Sequence, residues 1–502
     1  MRTARRLSQL LFLLLFLVLL FMARYPYAFG APSDIFLRFD PLIAVSTALA
    51  SRSLADFLWM SLILVVLTIV LGRLFCGWIC PLGTTLDFTD RLFRRYSKRN
   101  TLKRFRPWKF GVLFFSLGAA LASVQLIGFV DPIALMTRTF TLLIFPALTL
   151  LLNSIFNFLF QINMFPNAVY SVYSFAQQIV LPIQQPQFLQ VLPTALIFLG
   201  IISLGAVSRR FWCRNLCPLG ALLGLLSRYR LLGRVVDSGC IDCSRCAKQC
   251  RMNAIEDDFT ETSPVECIEC GECAHICPES SIRYRFRLPY SPAPLDVSKR
   301  YFLAAGTAGV AGALVLDVSK TTAQEHAVIR PPGAVNESDF LATCIRCQAC
   351  VKICASAGNG LQPTLWQSGV NGLWSPMLEA QLGYCEYNCT LCGAVCPTGA
   401  IQKITLEAKQ NLKIGRAWFD KDRCIPWAEH TDCLVCEEHC PVSEKAIKFD
   451  SRQVKTVAGN EKTIKLPYVV DELCVGCGIC QFKCPVEGQP GIYVTAAGNE
   501  RL

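Results

Sequence analysis

The spacing of the cysteines constrains this chain more than any other feature. Of its 28 cysteines, 24 fall into six sets of four, and four of these sets have the spacing Cys-x2-Cys-x2-Cys-x3-Cys. In that pattern three close thiolates wrap one corner of an iron–sulfur cubane, and the fourth reaches a neighbouring cluster. Zinc sites and disulfides are the alternatives, but tandem sets at this spacing favour iron–sulfur. The sequence therefore predicts six [4Fe-4S] clusters.

The six sets form two groups, one in residues 237–290 and one in residues 321–502. In the first group we expect each cluster to take its fourth ligand from the other set, which pairs Cys240, Cys243 and Cys246 with Cys277, and Cys267, Cys270 and Cys273 with Cys250. The sets of the second group are Cys344, Cys347, Cys350 and Cys354; Cys385, Cys389, Cys392 and Cys396; Cys424, Cys433, Cys436 and Cys440; and Cys474, Cys477, Cys480 and Cys484. The six sets leave four cysteines over.

These four cysteines lie in a duplicated motif. Cys76 and Cys80 belong to a Cys-x3-Cys-Pro-Leu-Gly sequence, and so do Cys213 and Cys217. If the two pairs face each other, they supply four thiolates, enough for one additional metal centre or a redox-active dithiol. We expect such a site between the membrane part and the cluster at Cys240–Cys277. The alternative is that the four are inert buried thiols at helix ends.

The duplication includes a second matched pair of segments. Phe39–Ala44 and Val130–Ala134 each contain Asp-Pro, and each precedes one of the cysteine motifs. Chance is a poor explanation for matches in the same order. Asp40 and Asp131 are therefore expected at equivalent periplasmic ends, either as helix caps before proline or as proton acceptors for a quinol.

Apolar residues are concentrated in residues 1–210. The segments predicted to cross a membrane are Leu7–Ala23, Leu54–Gly72, Trp108–Val130 and Leu189–Val207. We expect Thr141–Phe160 to be re-entrant or interfacial, unless Phe165–Leu181 also crosses. Much of the net charge of +12 lies in residues 91–109 and 209–234, which the positive-inside rule places in the cytoplasm. That explanation needs no nucleic acid partner.

A basic pair followed by an apolar stretch separates the two cysteine groups. Ser298–Leu303 resembles a twin-arginine export signal with lysine in place of the first arginine, and the apolar stretch runs on to Leu316. An ordinary hydrophobic helix is the alternative. Either one crosses the membrane, so residues 237–290 are expected in the cytoplasm and residues 321–502 in the periplasm.

These features predict an α-helical membrane domain with four core transmembrane helices and one re-entrant or interfacial segment, followed by small α+β ferredoxin-like domains. The predicted boundaries are 1–236 for the duplicated membrane domain, 237–290 for a two-[4Fe-4S] ferredoxin, 296–320 for a twin-arginine-like membrane anchor and 321–502 for a four-[4Fe-4S] domain. The expected location is the cytoplasmic (inner) membrane, as a multi-pass protein.

Other redox cofactors are not expected. The four histidines all lie outside the membrane part, and no Cys-x2-Cys-His is present, so neither haem b nor haem c has its usual ligands. No flavin or nicotinamide fingerprint occurs, and Gly306, Gly309 and Gly312 are better explained by helix packing than by phosphate binding. One-electron transfer between clusters is the chemistry that remains.

The pattern resembles two families joined in one chain. Residues 1–290 are similar to NapH-type membrane ferredoxins, and residues 299–502 resemble NapG/MauM-type periplasmic four-cluster ferredoxins in Lys299–Leu303, Arg330–Gly333 and the irregular third set. The resemblance implies a quinol dehydrogenase module that passes electrons from quinol to a periplasmic c-type cytochrome or reductase. It also implies that, in the last domain, the first set shares clusters with the fourth and the second with the third.

Two other functions remain open at this stage. The cysteine motifs also resemble NosR-type accessory proteins, so the chain could be an accessory polyferredoxin that supplies electrons for maturation or regulation of a metalloenzyme. Alternatively, the clusters could only hold the fold. Two cluster groups on opposite sides of one membrane favour the quinol-linked electron-transfer function, because that arrangement is typical of a conduit.

Overall fold

The computed structural model describes residues 2–26, 33–53, 58–90, 103–162, 166–179, 181–182, 184–286, 298–318, 328–455 and 461–502. Five predicted features lie partly outside the described residues: the start of the segment Leu54–Gly72, most of the basic run 91–109, the segment Phe165–Leu181, the end of the ferredoxin at 237–290, and the junction between the anchor at 296–320 and the last domain.

Helices build the N-terminal part of the molecule. In chain order they are α1 (Arg2–Met22), α2 (Ile35–Arg38), α3 (Pro41–Ser51), α4 (Leu58–Leu71), α5 (Leu74–Trp78), α6 (Pro81–Thr89), α7 (Trp108–Leu121), α8 (Ile127–Val130), α9 (Pro132–Thr139), α10 (Phe145–Ile162), α11 (Pro166–Ile179), α12 (Val191–Val207), α13 (Phe211–Asn215) and α14 (Pro218–Leu226). A π-helical turn, Phe140–Ile144, joins α9 to α10 without a break.

Two of these helices are long and apolar enough to cross a membrane, namely α1 and the continuous 31-residue helix Pro132–Ile162. The shorter apolar helices are α3, α4, α7 and α12. Thr141–Phe160, expected to be re-entrant or interfacial, lies within that long helix. Next to it runs α11, whose Tyr173 ring lies 5.1 Å from Phe156 and 5.7 Å from Phe160 between centroids. The alternative in which Phe165–Leu181 also crosses the membrane requires a second helix beside α10, and α11 is such a helix.

The first helix connects the two cysteine-rich parts of the chain. Near its start, Arg5 donates to Glu272 beside the first group, with 2.9 Å between Nη2 and Oε1. Just past its end, the Ala23 carbonyl accepts from Lys352 Nζ of the second group at 3.3 Å. The 21 residues of α1 span about 31 Å at 1.5 Å per residue, close to the ~30 Å hydrocarbon core of a bilayer. The two groups therefore lie at opposite ends of the helical bundle.

Four short helices begin at a capping residue followed by proline. Asp40 Oδ1 accepts from the amide of Leu42 at 2.8 Å to cap α3, and Asp131 Oδ1 accepts from the amide of Ala134 at 2.8 Å to cap α9. Cys80 and Cys217 cap α6 and α14 in the same way. Proline suits the first helical position because its missing amide would have no partner there. α3 packs against α14 and α9 against α6, so the duplicated halves interlock.

The helix predicted at the junction is present as α17 (Lys299–Val318) and packs along α7 in the same direction. Tyr301 approaches Gly111 near the start of both helices, and Gly309 approaches Phe115 further along. A Cβ on Gly309 would lie 2.0 Å from the Phe115 carbonyl oxygen. The glycines of α17 therefore serve helix packing, as predicted.

Secondary structure is sparse around the cysteine sets. The helices there are α15 (Arg245–Gln249), α16 (Glu272–Ile276), α18 (Glu337–Thr343), α19 (Ala349–Cys354), α20 (Leu391–Ala394), α21 (Leu406–Asn411), α22 (Ile425–Ala428), α23 (Val435–Glu438) and α24 (Ile479–Lys483). The antiparallel strand pairs are β1 (Leu232–Val236) with β2 (Ile282–Phe286), β3 (Leu361–Pro363) with β4 (Pro376–Leu378), β5 (Arg416–Phe419) with β8 (Ile492–Thr495), and β6 (Ile447–Lys455) with β7 (Glu461–Val469). Two-stranded sheets of this size need the clusters to hold them together.

The last domain docks tightly on the bundle. One buried apolar cluster runs from the bundle into this domain. Gly128 packs against the backbone of Ile345. A Cβ at position 128 would lie 1.7 Å from the Ile345 carbonyl oxygen. The buried Arg346 guanidinium donates to the carbonyls of Gln125 and Asn371. The close backbone approach explains why glycine occupies position 128.

Candidate iron–sulfur sites

Three cavities in the last domain are each lined by four cysteines. The first is lined by Cys354, Cys385, Cys389 and Cys392. The second is lined by Cys440, Cys474, Cys477 and Cys480. The third is lined by Cys424, Cys433, Cys436 and Cys484. Four thiols around a largely apolar cavity are the donor set of a [4Fe-4S] cluster, so these residues fit the predicted cofactor. We call the three places the Cys385, Cys474 and Cys424 sites.

The remaining set of this domain forms a fourth place, the Cys344 site. The thiols of Cys344 and Cys347 interact with that of Cys396, and Cys350 interacts with all three. Burial is the main cause that raises the pKa of Cys350 well above its usual value. A cluster would bind the deprotonated thiolates, so its binding must offset this cost of burial.

The four sites correct the pairing that the resemblance implied. The first set does not share its ligands with the fourth, because Cys354 lies with the second set and Cys396 with the first. In the same way Cys440 lies with the fourth set and Cys484 with the third. The physical reason is local: the last cysteine of a set sits one helical turn beyond the third, which carries it into the cavity of the set packed alongside.

The four sites form a row that leads away from the bundle. The Cys344 site adjoins the bundle, because Ile345 packs on Gly128. α19 links it to the Cys385 site, since Cys350 and Cys354 lie on that helix. The Cys385 amide then donates to the Cys477 carbonyl at 2.8 Å, which makes the Cys474 site the next neighbour. The Cys424 site is the farthest, reached through the exchanged ligands of the third and fourth sets.

At the other end of the bundle, one half of the expected ferredoxin pairing is present. The Cys270 thiol interacts with Cys250 and Cys273, and burial raises the pKa of Cys270 to about 12. We call this the Cys267 site. The Cys246 thiol interacts with Cys240 and Cys243, and one apolar cluster holds Cys246 together with Cys250, Cys273 and Cys277. We call this second place the Cys240 site, and Cys277 as its fourth ligand stays a prediction.

Three glutamates fix the Cys267 site to the bundle, and the sequence reasoning missed them. They are Glu266, Glu269 and Glu272, each directly before a ligand cysteine. Lys109 Nζ lies 2.5 Å from Glu266, Arg230 pairs with Glu269, and Arg5 pairs with Glu272. Burial opposes ionisation of Glu266, but the charges of Lys109 and Arg73 outweigh it and keep the pKa of that carboxyl below its ordinary value. The sequence does contain a signal for these glutamates: one occurs at every third residue, each time directly before a cysteine.

The same contacts revise the interpretation of the basic runs. The positive-inside rule predicts only that the basic residues in 209–234 lie in the cytoplasm. Arg210, however, is buried and pairs with Asp87 at 2.7 Å. Arg230 is likewise committed to Glu269. Part of the basic charge therefore anchors the first cysteine group to the bundle.

The structure brings the two Cys-x3-Cys-Pro motifs together. The Cys217 thiol interacts with Cys213, Cys76 and Cys80. Cys76 and Cys213 lie in one apolar cluster with Cys250, Cys267 and Cys270. The four thiols therefore adjoin the Cys267 site, whereas the sequence placed them next to the cluster at Cys240–Cys277. In the described part of the chain, no three His, Cys, Asp or Glu side chains are arranged around a single ion, and this holds for the ferredoxin sets as well.

The matched aspartates also meet. Asp40 and Asp131 are fully buried, and their carboxyl groups interact with each other. Each uses Oδ1 to cap its helix, while Oδ2 has no hydrogen-bond partner in the described part of the chain. The capping prediction is confirmed, and the two carboxyl groups additionally form a pair inside the bundle.

Comparisons with known proteins agree with this arrangement. A family model described as "4Fe-4S binding domain" matches residues 56–100 and 190–236, the segments that contain the two Cys-x3-Cys-Pro motifs. The methylamine utilization ferredoxin-type protein MauM of Methylorubrum extorquens is 32% identical over 41% of this chain and 90% of its own length. The ferredoxin-type protein NapG of Escherichia coli is 34% identical over 38% of this chain and 80% of its own length.

A third relative covers more of the chain. The ferredoxin-type protein NapH of Haemophilus influenzae is 27% identical over 57% of this chain and 90% of its own length. No solved structure matches the chain. The described architecture, with its cysteine sites at both ends of a helical bundle, and these relatives lead to one conclusion: the chain belongs to the family of NapG and MauM ferredoxin-type proteins, and it is an iron–sulfur electron-transfer protein related to NapH as well.

Proposed function

We propose that the chain passes electrons from membrane quinol to a periplasmic c-type cytochrome or reductase, as the electron-transfer module of a quinol dehydrogenase. The observation that carries this proposal is the placement of cysteine sites at both ends of α1, a helix of membrane-spanning length. The row of four sites leading away from the bundle supports it, because closely spaced clusters relay single electrons outward. In this proposal residues 237–290 face the cytoplasm and residues 321–502 the periplasm.

Six [4Fe-4S] clusters supply the electron-carrying chemistry in this proposal, and the 24 cysteines of the six sets hold them. The chain itself adds hydrogen bonds to sulfur. The amide of Leu361 donates to Cys354 Sγ at 3.4 Å, and the amide of Gly491 donates to Cys484 Sγ at 3.3 Å. Ala254 does the same for Cys250 at 3.2 Å. Such bonds stabilise negative charge on sulfur and raise the reduction potential of a cluster.

Quinol oxidation also releases protons, so the bundle needs a group to accept them. Asp40 and Asp131 supply a buried carboxyl pair, and their Oδ2 atoms, which do not cap a helix, are the acceptor positions we propose. The pair lies within the bundle, where both carboxyl groups are fully buried. Electron and proton leave by different routes in this scheme, the electron through cysteine sites and the proton through carboxyl oxygens.

The test uses anaerobic membrane vesicles that contain the oxidised full-length protein. We expect a reduced quinol analogue to bleach the visible absorbance of the clusters, and an added c-type cytochrome to restore it with two electrons passed per quinol. Dithionite provides the control that the clusters are reducible. If dithionite bleaches the clusters and quinol does not, the proposal fails. Reactivation of an inactive reductase without stoichiometric electron flow would favour the maturation function instead.

A further inference from the structure

The two Cys-x3-Cys-Pro motifs cannot be two separate cluster sites. Each of the matched 4Fe-4S-binding segments, 56–100 and 190–236, contains only two cysteines. The four thiols nevertheless lie together, since Cys80 interacts with Cys76 and Cys213, and Cys217 interacts with all three others. The interlocked halves therefore assemble one four-thiol site from two half-sites.

The second cysteine of each motif is held in place by its own helix. Cys80 Sγ accepts from the Gly83 amide at 3.5 Å, and Cys217 Sγ accepts from the Gly220 amide at 3.3 Å. α6 and α14 have nine residues each, so their first turns direct partial positive charge at the sulfurs. Burial raises the pKa of both thiols well above its usual value, and these amides act against burial by favouring the thiolate, the form that binds iron.

A buried guanidinium borders this site with two of its three nitrogens unpaired. Arg73 is 0% exposed; its Nη1 donates to the Val265 carbonyl at 2.5 Å and lies 3.9 Å from Glu266. Its Nε and Nη2 have no hydrogen-bond partner in the described part of the chain. Its Nη2 lies 2.8 Å from the Cβ position of Gly220, and Cys217 Sγ lies 3.5 Å from the same point. Arg73 belongs to the first motif but reaches the second. Buried donors without an acceptor are costly, so an acceptor with negative charge is expected beside Nε and Nη2.

Arg210 makes the reciprocal contact. It belongs to the second motif, and it donates to the carbonyls of Cys76 and Gly83 of the first motif, both at 3.0 Å. Its charge is shared with Asp87. Each motif thus places an arginine against the other motif, and these two contacts fix the position of one half-site relative to the other.

The charge of the surrounding network fits an iron–sulfur core. Its basic members are Arg2, Arg5, Arg73, Lys109, Arg210 and Arg251, and its acidic members are Asp87, Glu266 and Glu272. The basic residues exceed the acidic ones by three. Four thiolates around an iron–sulfur core carry net negative charge, so a positive network would stabilise the core in this buried place.

We propose that Cys76, Cys80, Cys213 and Cys217 together ligate a seventh iron–sulfur centre, shared between the two halves of the bundle. The centre would adjoin the Cys267 site across Ile268 and Met252. It would exchange one electron at a time with that site, one iron changing from ferrous to ferric while one iron of the neighbour changes from ferric to ferrous. The proposal deepens the proposed function by naming the link between the bundle and the cytoplasmic clusters.

The test compares metal content, so it does not depend on quinol turnover. Full-length protein and the variant Cys80→Ala/Cys217→Ala are purified anaerobically, and iron, sulfide and zinc are measured together with EPR spectra after dithionite reduction. We expect the variant to lose about two irons per chain for a [2Fe-2S] centre or about four for a [4Fe-4S] centre, with the ferredoxin signals unchanged. Thr84→Val is the control: Thr84 bonds to the Cys80 carbonyl on the same helix but is no ligand, and it should lose no iron.

Unchanged iron in the double variant, the loss of one zinc instead, or a disulfide in the parent would each overturn the proposal. If Cys80→Ala/Cys217→Ala fails to insert in the membrane, Cys76→Ala/Cys213→Ala removes the two less buried ligands and must show the same iron loss. The result also separates the two proposals. If the double variant loses iron but quinol does not bleach the clusters of the parent protein, the seventh centre is supported and quinol is not the electron donor.

Discussion

At the scale of single residues, several fully buried arginines hold separate segments of the chain together. The guanidinium of Arg330 is fully buried and contacts Glu337, Ser375 and Ser368. Arg346 and Arg73 are buried in the same way. Breaking a buried pair by removing one partner typically costs about 3–5 kcal/mol. The ends of the bundle therefore depend on specific ion pairs.

The carboxyl pair gives the first prediction. Asp40→Asn/Asp131→Asn keeps an oxygen that can cap each helix but removes the proton acceptors, so quinol oxidation should slow on the order of a hundredfold while cluster content stays intact. Stopped-flow bleaching by a quinol analogue measures the rate. Asp34→Asn is the matched control, because Asp34 is also buried but pairs with Arg38 at 2.6 Å. Normal turnover in the double variant would leave the two aspartates with a capping role only.

The ion pairs of the Cys267 site give the second prediction. Glu266→Gln leaves the buried Lys109 without its 2.5 Å partner, so the ferredoxin part should dock less stably by about 3 kcal/mol or more. Limited proteolysis in detergent should then cleave near residues 237–266 faster than in the parent. Glu279→Gln changes an exposed glutamate of the same part and should have no effect. Equal cleavage rates in the two variants would contradict the anchoring role.

At the scale of elements, the packing of α17 on α7 makes a third prediction. Gly309→Leu places a side chain where a Cβ already comes 2.0 Å from the Phe115 carbonyl oxygen. The two helices must separate, at a cost of about 1–3 kcal/mol or more. The midpoint of thermal unfolding in detergent should fall accordingly. Gly200→Leu on α12 has nothing within 4 Å of its Cβ position and provides the control; equal midpoints would show that the close approach carries no energy.

Elements also show how far the sequence could predict this structure. Cysteine spacing predicts three ligands of each site, because those three lie on one loop and the next helical turn. It cannot predict the fourth in the last domain, because that ligand depends on which sets pack side by side. Charge parity suggested a re-entrant Thr141–Phe160, but Pro146 and the π turn before it are accommodated within one helix. Long-range contacts such as Gly128 with Ile345 leave no local signal.

At the scale of the whole molecule, the clusters take the place of a core in the last domain. Its sheets have two strands each, and its cavities are lined by cysteine. We predict about 24 irons per chain from the six ferredoxin-type sets. Oxidative removal of iron should make residues 328–502 protease-sensitive, since metal binding and folding are coupled. The helical bundle should keep its far-UV circular dichroism. Stoichiometric zinc, or unchanged protease resistance after iron loss, would contradict this prediction.

The arrangement of the whole chain is a helical bundle with cysteine sites at both ends. Arg5 marks one end of α1 and Ala23 the other. If α1 and Pro132–Ile162 cross the membrane, the two groups of sites face different compartments. Export of residues 321–502 after cluster insertion would also explain the basic pair at the start of α17, because a folded domain protects its thiolates from periplasmic oxidants.

Sidedness is the central claim, and protease accessibility in opposite membrane preparations tests it most directly. In intact spheroplasts, externally added protease should cut residues 328–502 and spare residues 237–286. In inverted vesicles the pattern should reverse. A C-terminal tag and an antibody against residues 237–286 report the two parts separately, and detergent-opened membranes show that both can be cut. Protection of residues 328–502 in spheroplasts, with cleavage in inverted vesicles, would place all the clusters on the cytoplasmic side and contradict the account.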